Sequence, residues 1–168
     1  MMKKTVSFLL LVCVCAALVL TACRGDAEYI KEINPYEIAT TLSKKITSES
    51  EWVNEEIAVI EEYVEVPEYV RAGSIYYAQN TNDLDEFGVL FVEEGEAKAV
   101  RSLLMHGYLE KRYNDNREWY DSYMPAETPK LRDAEVRIYG NCVAYAILSP
   151  ERRTAFFDEC EKMLRIEK

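Results

Sequence analysis

The sequence is poor in positive charge. Its 168 residues include 20 lysines and arginines against 30 aspartates and glutamates, which gives a formal net charge of −10. Nucleic-acid binding depends on clustered basic side chains that neutralise phosphates, so this balance argues against a nucleic-acid partner. Glycine and proline are also scarce, at six and five residues, whereas 49 % of the residues are hydrophobic. The composition therefore excludes a disordered or low-complexity chain, and the length suits one domain.

The motifs used by common hydrolases and metalloenzymes are also missing. The one histidine, His106, falls inside a predicted helix beside polar residues, where a solvated surface position is expected. No Gly-x-Ser-x-Gly, Ser-x-x-Lys or phosphate-binding glycine-rich motif occurs. Cys142 and Cys160 have no partner at zinc-ligand spacing, and the acidic loop at residues 80–86 has Leu84 where an EF-hand requires its fifth-position ligand. The sequence therefore predicts no enzyme, no metal site and no cofactor.

The first 23 residues have the organisation of a bacterial lipoprotein signal peptide. A short basic segment precedes an apolar run over residues 6–20, which suits a signal-peptide core and is short for a membrane span. The run ends in a match to the lipobox, Leu20-Thr21-Ala22-Cys23. By resemblance to that class, the Cys23 thiol receives a diacylglycerol, with or without a further N-acyl group such as palmitate, and cleavage follows Ala22. An ordinary signal peptide with a chance cysteine, or an uncleaved anchor, is the alternative.

These features predict a division of the chain into three parts. Residues 1–22 form the signal peptide, residues 23–33 a tether and residues 34–168 a single domain. The mature protein is expected at the extracytoplasmic face of the cell membrane. Because an anionic membrane surface repels an acidic domain, attachment must come from the lipid on Cys23.

The pattern of apolar residues and turns predicts alternating helices and strands. A first helix follows the Asn34-Pro35 cap, and a shorter one is expected over residues 54–63. The other predicted elements are a hairpin of strands at residues 69–79 and 87–92, a long helix at 95–123, a second hairpin at 131–139 and 142–148 around Gly140-Asn141, and a last helix from Ser149-Pro150.

This order predicts an α+β fold. Two hairpin-helix units form a four-stranded, mainly antiparallel sheet, preceded by the N-terminal helices and with the helices on one face. The Gly140-Asn141 turn permits only antiparallel pairing, which disfavours a parallel doubly wound sheet.

Several short motifs resemble the bacterial lipoproteins grouped as domain of unknown function 4358. They are Cys23 of the lipobox, the strand around Glu86-Phe87-Gly88-Val89-Leu90-Phe91, the helix ending in Tyr120-Asp121-Ser122-Tyr123-Met124-Pro125, and the Gly140-Asn141 turn before an apolar strand and a final helix. The similarity spans approximately residues 35–166. It implies a location and a fold, but no activity and no catalytic residues.

Aromatic residues are the unusual feature of the domain. The chain has 12 tyrosines and two tryptophans, and four residues cluster where the long helix must stop: Trp119, Tyr120, Tyr123 and Pro125. Aromatic rings supply large contact area at low entropic cost, so this cluster is the candidate partner surface, with a place in the core as the alternative. The sequence predicts a non-enzymatic binding module with an envelope protein as the possible partner. A small envelope enzyme or a ligand-binding accessory protein is the alternative function.

Overall fold

The computed structural model describes residues 27–167. Cys23 and the predicted signal peptide lie outside these residues. The elements are α1 (Pro35–Lys45), β1 (Trp52–Glu55), α2 (Ala58–Glu61), β2 (Val70–Ala78), β3 (Glu86–Val92), a long helix in three parts, α5 (Thr128–Arg132), β4 (Glu135–Tyr139), β5 (Cys142–Ile147) and α6 (Pro150–Leu164). The long helix consists of α3 (Ala97–Ser102), a π-helical segment (Leu103–Leu109) and α4 (Glu110–Tyr123). None of the helices in the described residues is long and apolar enough to span a membrane.

The strands form one antiparallel sheet in the order β1-β2-β3-β5-β4. The α+β class is confirmed, but the sheet has five strands rather than four. Strand β1 lies where the sequence predicted the start of a helix at residues 54–63. It pairs with β2 from Trp52 opposite Ala78 to Glu55 opposite Ile75, and the Asn54 side chain donates a hydrogen bond to the Ile75 carbonyl at 3.0 Å.

Both faces of the sheet carry helices, which corrects the prediction of helices on one face. Along β5, Val143 and Tyr145 belong to a core that includes the long helix. Cys142 and Ala144 belong to a second core with α1 and α6. All six residues of β5 are buried, and a strand buried on both faces needs a covering layer on each side.

The two cysteines of the domain lie on the same side of the sheet. Cys142 and Cys160 are free thiols within the second core, and both are fully buried. Burial raises the pKa of the Cys142 thiol to about 12, so the reactive thiolate is scarce at neutral pH.

The π-helical segment changes the register of the long helix. The backbone N–H of Glu110 donates to the Met105 carbonyl, one residue further back than in an α-helix. Gly107 lies within this segment, and a Cβ there would come 3.0 Å from Val64. The segment presents Tyr108 to the sheet core, where its side chain is fully buried.

Candidate functional site

A pocket of about 460 Å³ opens between the long helix and one end of the sheet. Helix α4 and Met124 form one side, and β1, β2 and the residues around α2 form the other. We call it the aromatic pocket. Its lining residues are Glu55, Val59, Glu62, Tyr63, Tyr77, Ala78, Gln79, Thr81, Asp83, Leu84, Asp85, Glu86, Arg112, Trp119, Tyr120 and Met124.

The structure separates the four residues of the predicted partner surface. Trp119 is 49 % exposed and Tyr123 is 74 % exposed, and Pro125 is also exposed. Tyr120 is 7 % exposed and belongs to the core. The ring centroids of Trp119 and Tyr120 lie 5.4 Å apart, and those of Trp119 and Tyr123 lie 5.7 Å apart. Of these four residues, only Trp119 and Tyr120 line the aromatic pocket. The prediction of an exposed cluster is therefore wrong for Tyr120.

Alanine substitutions are expected to distinguish these two neighbours. Tyr120→Ala removes a buried ring and should cost about 3–5 kcal/mol of stability. Trp119→Ala removes a half-exposed ring and should cost about 1 kcal/mol, mainly through lost ring contacts. Chemical denaturation of both variants checks the difference. Equal losses would mean that Trp119 is also a core residue.

A buried carboxylate forms part of the pocket floor. Glu86, at the start of β3, is 2 % exposed. Its Oε1 accepts hydrogen bonds from the hydroxyls of Tyr108 at 2.6 Å and Tyr145 at 2.7 Å. Its Oε2 accepts from the Arg112 guanidinium at 2.6 Å. Every oxygen of this carboxylate is therefore engaged by donors from the long helix or from β5.

The electrostatics of this floor keep Arg112 charged and the tyrosines neutral. Burial lowers the pKa of Arg112, but the neighbouring Glu86 carboxylate outweighs it and the net shift is upward. Burial first, and then the charge of Glu86, raises the pKa of Tyr108 and of Tyr145 well above the usual value. A neutral phenol has a hydrogen to donate, so these shifts favour the hydrogen bonds that hold Glu86.

A second group of acids adjoins the floor and surrounds a lysine. Carboxylate oxygens of Asp83, Asp85 and Glu127 lie within 4.8 Å of one another. The Lys130 ammonium nitrogen lies 3.1 Å from Asp83, 2.9 Å from Asp85 and 2.6 Å from Glu127, and Arg152 also pairs with Asp85. The geometry could suit a metal ion, but the ammonium group occupies the position that a cation would take.

Within this group, the pKa of Asp83 is lowered and the pKa of Lys130 is raised. Burial raises the pKa of Asp83. Hydrogen bonds from the Asp85 N–H and from Lys130 lower this pKa by more than burial raises it, so the net shift is downward. Burial lowers the pKa of Lys130, and the three carboxylates outweigh this effect and raise it. Asp83 therefore contributes stability above its unfolded pKa, and the contribution is lost as the pH falls through the folded pKa.

Removing the lysine should expose a latent cation site. Lys130→Ala leaves three carboxylates without their shared cation, so we expect a loss of about 2 kcal/mol or more. A few millimolar Ca²⁺ should restore part of this loss, because hard cations bind clustered carboxylates. Wild type and the control Lys130→Arg keep a cation in place and should not respond. Thermal melts with and without Ca²⁺ measure the effect, and Ca²⁺ stabilisation of wild type would contradict the assignment.

A larger cleft of about 780 Å³ runs along β4 at the edge of the sheet. Its lining is of mixed charge, and includes Lys98, Arg101 and Glu161. Arg101 already donates to the Val136 carbonyl of this edge strand at 3.2 Å, so part of the free edge is protected against pairing with another strand. The aromatic pocket contains two of the four predicted residues, Trp119 and Tyr120, and is the better candidate.

Sequence reasoning missed the charged floor of the pocket. One signal was present, because Glu86 begins an otherwise apolar strand, and a buried glutamate requires a partner. The identity of that partner depends on the register of the long helix, which the sequence does not reveal.

No protein-family model, curated protein or solved structure significantly matches this chain. The resemblance to domain of unknown function 4358 stays a prediction.

Proposed function

We propose that this protein is a lipid-anchored, extracytoplasmic and non-enzymatic binding module, which engages an envelope component through the aromatic pocket. The observation that carries the proposal is the half-exposed Trp119 at an open pocket whose buried charges are already paired. Large aromatic side chains beside a pocket are typical anchors for binding partners. The proposal extends the predicted partner surface from the helix end into the adjoining pocket.

The buried charged groups of the pocket favour binding over catalysis. The Glu86 carboxylate is held by Arg112 and two phenols, and Asp85 by Lys130 and Arg152. A general base needs an accessible lone pair within reach of its substrate. His106 lies elsewhere on the surface, where its ring pairs with Glu110 at 2.9 Å.

The location of the pocket suits a domain anchored at its N-terminus. Ile30 donates to the Leu164 carbonyl at 2.9 Å, and a Cβ on Gly140 would lie 3.1 Å from Tyr29. The incoming chain thus contacts the domain at the β4–β5 turn. Glu86, at the pocket, lies at the opposite end of β3 and β5. A strand of this length spans roughly 20 Å, so a membrane anchor on this chain would leave the pocket facing outward.

The anchor has its own test. Cys23→Ser removes the thiol that would accept the diacylglycerol, so we expect unprocessed precursor and no lipid-modified form. Intact-mass measurement of membrane fractions should show diacylglyceryl-Cys23 as the N-terminus of wild type. A soluble mature protein that begins at another residue would contradict the anchor.

The binding function is tested by capture from membranes solubilised in mild detergent. We expect wild type to retain an envelope component in stoichiometric amount and Trp119→Ala to lose it. Tyr36→Ala is the control, because Tyr36 is also exposed but belongs to α1 on the other face of the sheet. Loss of capture in both variants, or in neither, would argue against the aromatic pocket.

A further inference from the structure

We propose that the aromatic pocket recognises a quaternary ammonium group on a small organic molecule. This inference rests on the proposed binding function and adds the chemical class of the ligand. It follows from the rings that line the pocket, the sign of its charge and the state of its acidic groups.

Four aromatic side chains line the pocket: Tyr63, Tyr77, Trp119 and Tyr120. The faces of such rings attract cations, and tryptophan is the strongest of the three aromatic types. The Lys111 ammonium, which does not line the pocket, lies over the Tyr63 ring at 5.8 Å from its centroid, so the other three rings are the main candidates for a bound cation. The volume of about 460 Å³ lies within the range of small-molecule sites and exceeds what a bare metal ion needs.

The charge of the lining favours a cation over an anion. Five carboxylates and one guanidinium line the pocket. The guanidinium of Arg112 is committed to Glu86, and Lys130 neutralises much of the adjoining acid group. Glu55 and Glu62 remain exposed near the opening. An anionic ligand would meet this negative rim without a free positive partner.

The state of the acids distinguishes a quaternary ammonium from a primary one. A primary ammonium has three N–H donors, and burying them requires acceptors. At the floor, both oxygens of Glu86 accept hydrogen bonds and Asp85 is paired with Lys130 and Arg152. Nearer the opening, Glu55 accepts from the Tyr77 hydroxyl at 2.8 Å, and Glu62 is exposed to water. A quaternary ammonium has no N–H group, needs no hydrogen bonds, and is stabilised by ring faces and by nearby negative charge. The pocket therefore fits it better.

The two tryptophans of the chain provide a direct readout. Trp119 lines the pocket, whereas Trp52 belongs to the second core and its indole N–H donates to the Ile46 carbonyl at 3.1 Å. We would titrate the ¹⁵N-labelled protein, in a maltoside detergent, with choline and with tetramethylammonium. The Trp119 indole signal should shift in a saturable manner, while that of Trp52 stays in place.

Matched probes test the chemistry of recognition. The neutral choline isostere 3,3-dimethylbutan-1-ol and the primary amine butylammonium should each bind at least about tenfold more weakly than choline. Vesicles that carry phosphocholine headgroups should not outcompete free choline, because their phosphate adds negative charge at an acidic rim. Glu62→Gln should weaken choline binding about threefold, whereas Glu151→Gln on α6 should leave it unchanged.

The outcomes separate this inference from the proposed function. Equal binding of choline and either small matched probe would overturn the assignment of a quaternary ammonium, as would the absence of any choline shift. In each case, Trp119-dependent capture of an envelope component would still support the binding module. If no envelope component is captured but choline still shifts the Trp119 signal specifically, only the proposal of an envelope partner is overturned.

Discussion

Arg112→Leu should be among the most destabilising single substitutions in this domain, at about 3–5 kcal/mol. The variant keeps Glu86 buried but removes the guanidinium that pairs with it at 2.6 Å, and an uncompensated buried charge is costly. For a domain of this size, the midpoint of thermal unfolding should fall by roughly 10 °C or more. Thermal and urea denaturation of the purified protein measure the change.

The matched control lies on the same helix. Arg117 pairs with Asp121 at 3.6 Å, and its side chain is 65 % exposed, so Arg117→Leu should change stability by less than about 1 kcal/mol. If Arg112→Leu were equally mild, the charge pair beneath the pocket would not contribute to the fold as the structure indicates.

Gly88→Ala should be the second severe substitution, with a loss of about 3 kcal/mol. Gly88 lies opposite Tyr145 in the pairing of β3 with β5. A Cβ at this position would come 2.3 Å from Cε1 of the Tyr145 ring. That ring is fully buried and its hydroxyl is hydrogen-bonded to Glu86, so it has little freedom to move away.

Gly73→Ala provides the comparison within the same sheet. Its Cβ would come 2.8 Å from the side chain of Ile57, which is only half-buried in the segment before α2 and can adjust. We expect a loss at least about 1 kcal/mol smaller than for Gly88→Ala, measured by urea denaturation. A larger loss for Gly73→Ala would show that Tyr145 is less constrained than its contacts imply.

Much of the sheet could be predicted because local turn chemistry determines it. Gly140 has a φ of +62°, which the two-residue turn requires and which glycine adopts at low cost. With that turn fixed, the alternation of β5 follows, and Val143 and Tyr145 share one face as the pattern predicts. The missing element was β1. This strand has only four residues, and the helical spacing of Ile57 and Ile60 just after it dominates the local pattern of apolar residues.

The second helical layer could also have been inferred from the sequence. Cys142, Ala144 and Ala146 are small and apolar on the face of β5 that the prediction left uncovered. A strand without polar residues on either face belongs between two layers rather than at a surface. Helix α6 covers this second face of the sheet, and Cys160 therefore lies on the same side of the sheet as Cys142.

The candidate site was predictable only where helix geometry decides exposure. Trp119 and Tyr123 lie four residues apart on one exposed side of α4, whereas Tyr120 is rotated about 100° from Trp119 and faces the core. The floor joins Glu86 to Arg112 across 26 positions of sequence. The contact between Glu86 and Arg112 depends on the sheet register and on the π-helical segment, and no local sequence pattern reveals either of them.

Site-specific photo-crosslinking in intact cells is the most direct test of the proposed binding function. A crosslinking residue at position 123, beside Trp119, should yield one defined adduct with an envelope component. The same residue at position 162, exposed on α6 across the sheet, should yield none, and Trp119→Ala should abolish the adduct from position 123. No adduct from position 123, or an identical adduct from position 162, would contradict the aromatic pocket as the binding site.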